Sequence, residues 1–508
     1  MKRAAWWAAA LAYAGCWLVV VAAGFGAGPP STVALAVAAS FFPYAALVVA
    51  HVGDARSARA CRRALWLTLG LGLVLLAVPP VLSDDLYRYV WDGRVLAAGH
   101  DPYAHAPDAP ALAGLRDAHA LRVNHPELPT IYPPLAIAAF AALSGLGLLG
   151  PKLLGLLGHA LLVLAVARLT PPARSAQASF AVALNPLLLA EGPLNGHIDV
   201  LAAACVLLAL LAWSRLPGGT STVGPVVTTP RPHRARADRA ARFRVGLFGA
   251  LAIGLKLVGF LLVPLLAGAR DRRLRWVAPA LLLVGVALLA PLPFAGHAER
   301  DVPSGLGQYA TRWRGNDGAY GVLERGIERA LVRHYGLRWG KLDLEPEPTW
   351  LRQLARLGVD PRAGLLGPKK EPPPPTLVEP SVLARPLARA CVVLLLLLVV
   401  LSVVVRPVPP ALALRRIVLA ALLLTPQLHP WYLALLVPLE LVTGRVAGLA
   451  FAAAVYVAYV PLDAWAVTRT WQVDSGALGA MHLLVLGVWI AERVLARSAT
   501  RGPELRER

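Results

Sequence analysis

The sequence predicts an all-α, polytopic transmembrane helical bundle with large outer loops, and three observations carry that expectation. Hydrophobic residues make up 57% of the 508 positions and charged residues only 16%, far from the balance of a water-soluble enzyme of this length. Apolar runs of about 16 to 22 residues recur from end to end, close to the roughly 20 needed to cross a hydrocarbon core. These runs are too long and continuous for barrel strands, so helices are the spanning element.

The runs fall near 5–25, 31–51, 64–82, 132–148, 152–168, 176–191, 198–213, 245–265, 276–294, 386–405, 411–428, 430–443, 446–463 and 477–496. That gives about twelve to fourteen hydrophobic segments, not all of them complete crossings. The first begins after Lys2 and Arg3, is longer than a signal-peptide core and lacks a convincing cleavage site, so it reads as a membrane helix. Loops 215–244 and 268–275 are both basic with one apolar run between them, which predicts a broken hairpin over 245–265. By the same reasoning one of the three runs between 132 and 191 is re-entrant or tilted.

The formal net charge is +21, and 44 of the 50 basic residues are Arg. Many of them lie in short loops between apolar runs, as orientation signals do, so the excess argues for a bilayer and against nucleic acid as the partner. Arg56, Arg59, Arg62 and Arg63 place the second loop, and with the basic start the amino terminus, in the cytoplasm. Residues 83–130 then form a first outer loop with seven acidic residues and four Arg. Residues 215–244, with seven Arg and one Asp, form a basic cytoplasmic linker, and 296–385 a large outer loop carrying the connector Glu371 to Pro375. The whole chain reads as one integral-membrane domain. Cys16, Cys61, Cys205 and Cys391 occur singly, without metal-ligand or disulfide spacing.

The first outer loop opens with Ser83-Asp84-Asp85-Leu86-Tyr87-Arg88-Tyr89-Val90-Trp91-Asp92-Gly93-Arg94. Adjacent carboxylates can raise one another's pKa and serve as a general base towards a sugar hydroxyl. Arg88 and Arg94 are suited to a phosphate, and Tyr87, Tyr89 and Trp91 to stacking on a sugar ring. The competing explanation is a short surface helix capped by Ser83 and the two acids.

Three further groups stand out. Asn195, His197 and Asp199 place three hydrogen-bonding side chains between apolar runs, suited to sugar hydroxyls or to helix capping, and too few by themselves for a metal site. Lys256 lies inside an apolar run, where a charge costs at least about 2.5 to 3.5 kcal/mol, and neutralising a donor phosphate is the functional reason for it. Arg312, Asn316, Asp317 and His429 are candidates for the same donor site.

The string SDDLYRYVWDGR, then GHDPY (99–103) and TIYPPL (130–135), resembles the bacterial members of the GT-C superfamily of integral-membrane glycosyltransferases. Asn185-Pro186, Glu191-Gly192, Asn195 to Asp199, Gly254 to Leu257, 309–318 (YATRWRGNDG) and Thr425 to Tyr432 extend the resemblance over almost the whole chain. It is nearest to the polyprenol-phosphate-mannose-dependent mannosyltransferases. The resemblance implies a GT-C-like fold, an acidic residue of the first outer loop (Asp84 or Asp85) as catalytic base, and inversion at the anomeric centre. It implies a polyprenyl-phosphate sugar donor and a glycan or glycolipid acceptor, with the site facing outside. No cofactor is required by this chemistry, and dependence on a divalent metal stays open. The alternative from another class is a transporter or flippase of lipid-linked sugars, which also uses broken helices and intramembrane charge. No internal repeat favours it.

Overall fold

Lipid offers a backbone amide no partner, and the apolar runs fold accordingly as helices that satisfy their own hydrogen bonds. The computed structural model describes residues 2–26, 28–51, 58–216, 235–289, 315–356, 377–406, 408–468, 471 and 474–501. In the amino-terminal half lie α1 (Lys2–Phe25), α2 (Pro30–Ala50), α3 (Ala58–Ala77), α4 (Asp85–Ala97), α5 (Pro134–Ala142), α6 (Leu149–Leu169), α7 (Pro172–Ala183), α8 (Pro186–Leu189), α9 (Asp199–Trp213) and α10 (Ala235–Leu255). Next come α11 (Val263–Ala267), α12 (Arg272–Arg275), α13 (Val277–Leu289), α14 (Gly318–Tyr335) and α15 (Thr349–Arg356). The carboxy-terminal half adds α16 (Pro380–Val405), α17 (Pro410–Leu424), α18 (Leu436–Thr443), α19 (Ala447–Ala454), α20 (Leu462–Thr468) and α21 (Ser475–Arg501). Strands β1 (Leu337–Arg338), β2 (Lys341–Asp343) and β3 (Leu377–Val378) form one small antiparallel sheet in that order.

Among the described residues seven helices are long and apolar enough to cross a membrane, or eight if one bent pair counts as a span. The sequence shows more apolar runs than this because several are broken. Run 132–148 is the nine-residue α5 and a tight turn at Ser144–Leu146, too short for a crossing. The bent pair is α8 with its following π-helical turn, Ala190–Leu194, and α9, which meet at 118°. Pro193 lies inside that turn, and Gly196 closes it at φ +72, a backbone region that favours glycine. Run 245–265 is a hairpin, as its flanking basic loops predict. The helix α10 ends at an extended Lys256, and a 3-10 turn at Leu257–Leu262 folds back so that Gly259 lies against the backbone of Gly249. The basic stretch 215–244 is not linker throughout, because residues 235–244 are the first turns of α10.

The long loop that follows α3 is fixed to the bundle at three places. Gly93 of α4 abuts the backbone of Phe140 in α5, where a Cβ would come within 2.5 Å of a carbonyl carbon. Gly196 packs on Leu86 and on the backbone of Pro151 and Lys152. The buried Lys152 ammonium donates to the carbonyls of Leu75, Leu76 and Val78, which closes the end of α3 just before the loop begins. Elsewhere, Arg415 of α17 pairs with Glu440 of α18 (2.7 Å) and Glu492 of α21 (3.0 Å), a buried network joining three helices.

Gly93→Ala is expected to overpack the α4–α5 contact and to cost about 1 to 3 kcal/mol. The check is thermal unfolding in detergent, where the variant melts below the wild type and Gly114→Ala, in open space, does not.

Candidate active site

The helix α4 sorts its side chains by helical period. Asp85 and Tyr89, four residues apart, share the face that looks into the bundle. There Tyr89 stacks on Phe140 (4.6 Å between ring centres) and meets Tyr132 edge-on. Tyr87 and Trp91 share another face and bury themselves with Val95, Leu112 and Val123 in an apolar core belonging to the loop itself. The Arg122 guanidinium covers the Tyr87 ring at 4.3 Å. Neither ring is placed for stacking on a sugar, whereas Tyr89, the third aromatic of this stretch, reaches the site.

Arg88 is likewise committed within the loop. It pairs with Asp92 at 3.0 Å and donates to the carbonyls of Asn124, His125 and Leu128. These bonds hold a tight turn in which His125 has φ +46. The turn presents Asn124, whose Nδ2 donates to Asp84 (2.8 Å) and to Asp85 (3.0 Å). Arg88 therefore positions the acidic pair and has no guanidinium face turned to a phosphate. Ser83 accepts from the Asp85 amide at 3.2 Å, while Asp84, at the N-cap position, makes no side-chain cap of the helix. Asp84 lies at the open edge, and withdrawal from water together with the adjacent Asp85 charge pushes its carboxyl up to about 6.

Below Asp85 the two broken segments meet. Asp199, in the first turn of α9, accepts from Lys256 Nζ at 3.0 Å, and the ammonium lies 5.4 Å from the centre of the Tyr132 ring. Asp85 is close enough for its charge to act on Asp199, Tyr89, Tyr132 and Tyr459. His197 Nδ1 is 3.5 Å from the Tyr89 hydroxyl, and its ring begins a column, stacked on Trp431 at 4.0 Å, which stacks on His429 at 4.2 Å. Gln427 orients His429 through a 2.7 Å contact. Beneath the column, Glu191 accepts from Tyr456 (3.0 Å) and Tyr459 (3.1 Å) and lies 3.4 Å from His197 Nε2. Asn195 Oδ1 and His197 Nε2 are buried without a hydrogen-bond partner among the described residues.

The remaining sequence blocks act mainly as braces. Tyr103 donates to the Tyr132 carbonyl (2.7 Å), which ties the GHDPY block to the TIYPPL block. Asn316 donates to the Leu428 carbonyl (2.9 Å), and Gly315 bridges to Gln427, which sets the segment carrying His429. Asp317 precedes α14 and accepts from the Gly321 amide through its carbonyl. Arg312 lies outside the described residues. Glu191, Tyr456, Tyr459 and Asn124 were missed as site residues. An acid inside an apolar run and tyrosines three residues apart in another were the available signals. Among the described residues no group of three or more His, Cys, Asp or Glu side chains is arranged to hold a metal ion.

A membrane-embedded helical bundle with these blocks in this order is an integral-membrane glycosyltransferase of the GT-C type. The family described as alpha-(1->6)-mannopyranosyltransferase, N-terminal domain, matches residues 1–272, and the chain belongs to that mannosyltransferase family. No curated protein and no solved structure matches the chain. The matched stretch includes the acidic pair, the Asn195 to Asp199 block and Lys256, while the His429 segment lies beyond it.

Asp199→Ala removes the carboxylate from the Lys256 cation. Because Lys256 keeps partial exposure, the expected loss of stability is roughly 2 kcal/mol, below that of a fully buried broken pair. Melting in detergent should show the drop, and adding Lys256→Met should restore most of it.

Proposed function

We propose that the protein transfers mannose from a polyprenyl-phosphate donor to a hydroxyl of a lipid-linked or cell-envelope glycan at the outer membrane face. The observation that carries this reading is Lys256, a cation held among apolar helices and paired with Asp199, on which the charge of Asp85 also acts. A lipid-borne phosphate approaching through the bilayer would meet that cation, while a glycan acceptor would meet the outer loop. The basic loops support an amino terminus in the cytoplasm, which puts α4 outside.

In the reaction the acceptor oxygen bonds to the anomeric carbon as the bond from that carbon to the phosphate oxygen breaks. The electron pair of the broken bond stays with the polyprenyl phosphate, and the hydroxyl proton passes to a carboxylate. Asp85 is the base in this reading, because it shares the Tyr89 face, whereas Asp84 lies at the edge. Asp84 keeps a second charge beside the base and shares the Asn124 amide with it. The departing phosphate is stabilised by Lys256 and by His429, so it needs no proton. Asn195, His197 and Asp199 are placed to read mannose hydroxyls. If the α-(1→6) linkage in the family description holds here, inversion requires a β-linked donor. The polyprenyl chain lies along the lipid-facing helices.

Two measurements test this. Purified protein in lipid, given labelled polyprenyl-phosphate mannose and a mannosylated acceptor, is expected to form an α-linked product. It should form none from a nucleotide-activated mannose. Transfer from the nucleotide sugar alone would refute the donor assignment. In the same assay Asp85→Asn should slow transfer about 10³-fold, the scale of a lost general base, and Asp84→Asn about tenfold.

The pH profile separates the two acids further. As pH falls through about 6, Asp84 takes up a proton, its charge beside the base is lost, and the rate declines. Initial rates from pH 5 to 8 should show this inflection in the wild type and lack it in Asp84→Asn.

A further inference from the structure

At the opposite end of the bundle, α6, α9 and α10 enclose a cleft that the transfer reaction does not use. Both α6 and α9 run away from the site, since Gly155 and Gly158 of α6 pack on Gly192 and Leu201. Arg168 lies in the last turn of α6, Arg215 two residues past the end of α9, and the returning α10 brings Arg244 beside them. Arg215 stands sixteen positions after Asp199, about 24 Å along the helix. The cleft has a volume of about 330 Å³, with Leu208, Leu211 and Phe248 forming its apolar wall beneath the three guanidinium groups.

Among the described residues no carboxylate pairs with these three guanidinium groups. Arg242, two positions from Arg244, is taken by Asp271 at 2.9 Å. The guanidinium groups of Arg215 and Arg244 make no hydrogen bond or ion pair with any described residue, and Arg168 makes a single bond to the Leu164 carbonyl. Residues 217–234, which join α9 to α10, contain Arg231 and Arg234 and no acidic residue, so they bring no neutralising charge. Phe243 (69% exposed) and Leu247 flank the cleft and turn apolar surface outward. Three cations from three helices, over an apolar wall at the end of a membrane bundle, match a phosphate group attached to acyl chains.

We infer that this cleft binds the phosphate-bearing headgroup of an anionic phospholipid, with an acyl chain lying against Phe248 and Leu211. It is separate from the donor site and depends only on the protein's residence in a membrane.

The full-length protein in detergent can be titrated with phosphatidylglycerol, or with phosphatidylcholine of the same chains, and bound lipid counted by native mass spectrometry. About tenfold tighter binding of phosphatidylglycerol is expected. The Arg215→Gln/Arg244→Gln pair should lose most of that preference, at about threefold per charge, while Arg215→Lys/Arg244→Lys and the remote Arg275→Gln should keep it. Because the charge-retaining pair reports on folding, loss of selectivity in the lysine pair as well as the glutamine pair would overturn the assignment. Equal binding of the two lipids, or an unaffected glutamine pair, would do the same. Inorganic phosphate binding as tightly as phosphatidylglycerol would show a site for a bare anion and overturn the lipid assignment.

Discussion

The 3.0 Å pair between Asp199 and Lys256 is the contact on which the rest of the architecture depends. A lone charge within the bilayer costs at least about 2.5 to 3.5 kcal/mol, so each residue needs the other. Their positions are the two places where spans break: Asp199 starts α9 after the bend, and Lys256 ends α10 where the chain turns back. The Asp199 carboxylate also sits at a helix amino terminus, where the peptide dipole favours negative charge. Two interrupted helices thereby become one polar floor in an apolar protein.

The loop that follows α3 is built onto that floor by side chains that fix backbone. Lys152 closes α3 immediately before the loop, and Gly196 lets Leu86 settle onto the bend of the broken span. Within the loop, Arg88 fixes the 124–128 turn, and through Asn124 that turn aligns both carboxylates. This is a relay of position from a buried ion pair to the open acids. It explains why a loop over forty residues long can hold a pair of carboxylates in register with a cation inside the bundle. The stack of His197, Trp431 and His429 brings in the carboxy-terminal half from the other side.

Much of this was legible in the sequence, because hydropathy and lone charges are local signals. The helical bundle, the acidic pair, Lys256 in its apolar run and the hairpin over 245–265 all follow from residues read within a short window. What was not legible depends on partners far away. Arg88 looked free for a phosphate because its acceptors lie up to forty residues on, and Glu191 meets tyrosines 265 and 268 positions later. Tyr87, Tyr89 and Trp91 all looked suited to a sugar ring because helical period divides α4 into faces without saying which face the bundle covers. Run 132–148 looked like a span because composition alone does not reveal that the helix stops after nine residues.

Whether the two broken spans build the donor site is decided most directly by cryo-electron microscopy of the protein in lipid with a non-transferable polyprenyl-phosphonate mannose. The phosphonate is expected within about 4 Å of Lys256 Nζ, with the anomeric carbon facing Asp85 and the sugar beside His197. A phosphonate seated away from Lys256, or a sugar on the Tyr87 side of α4, would contradict it.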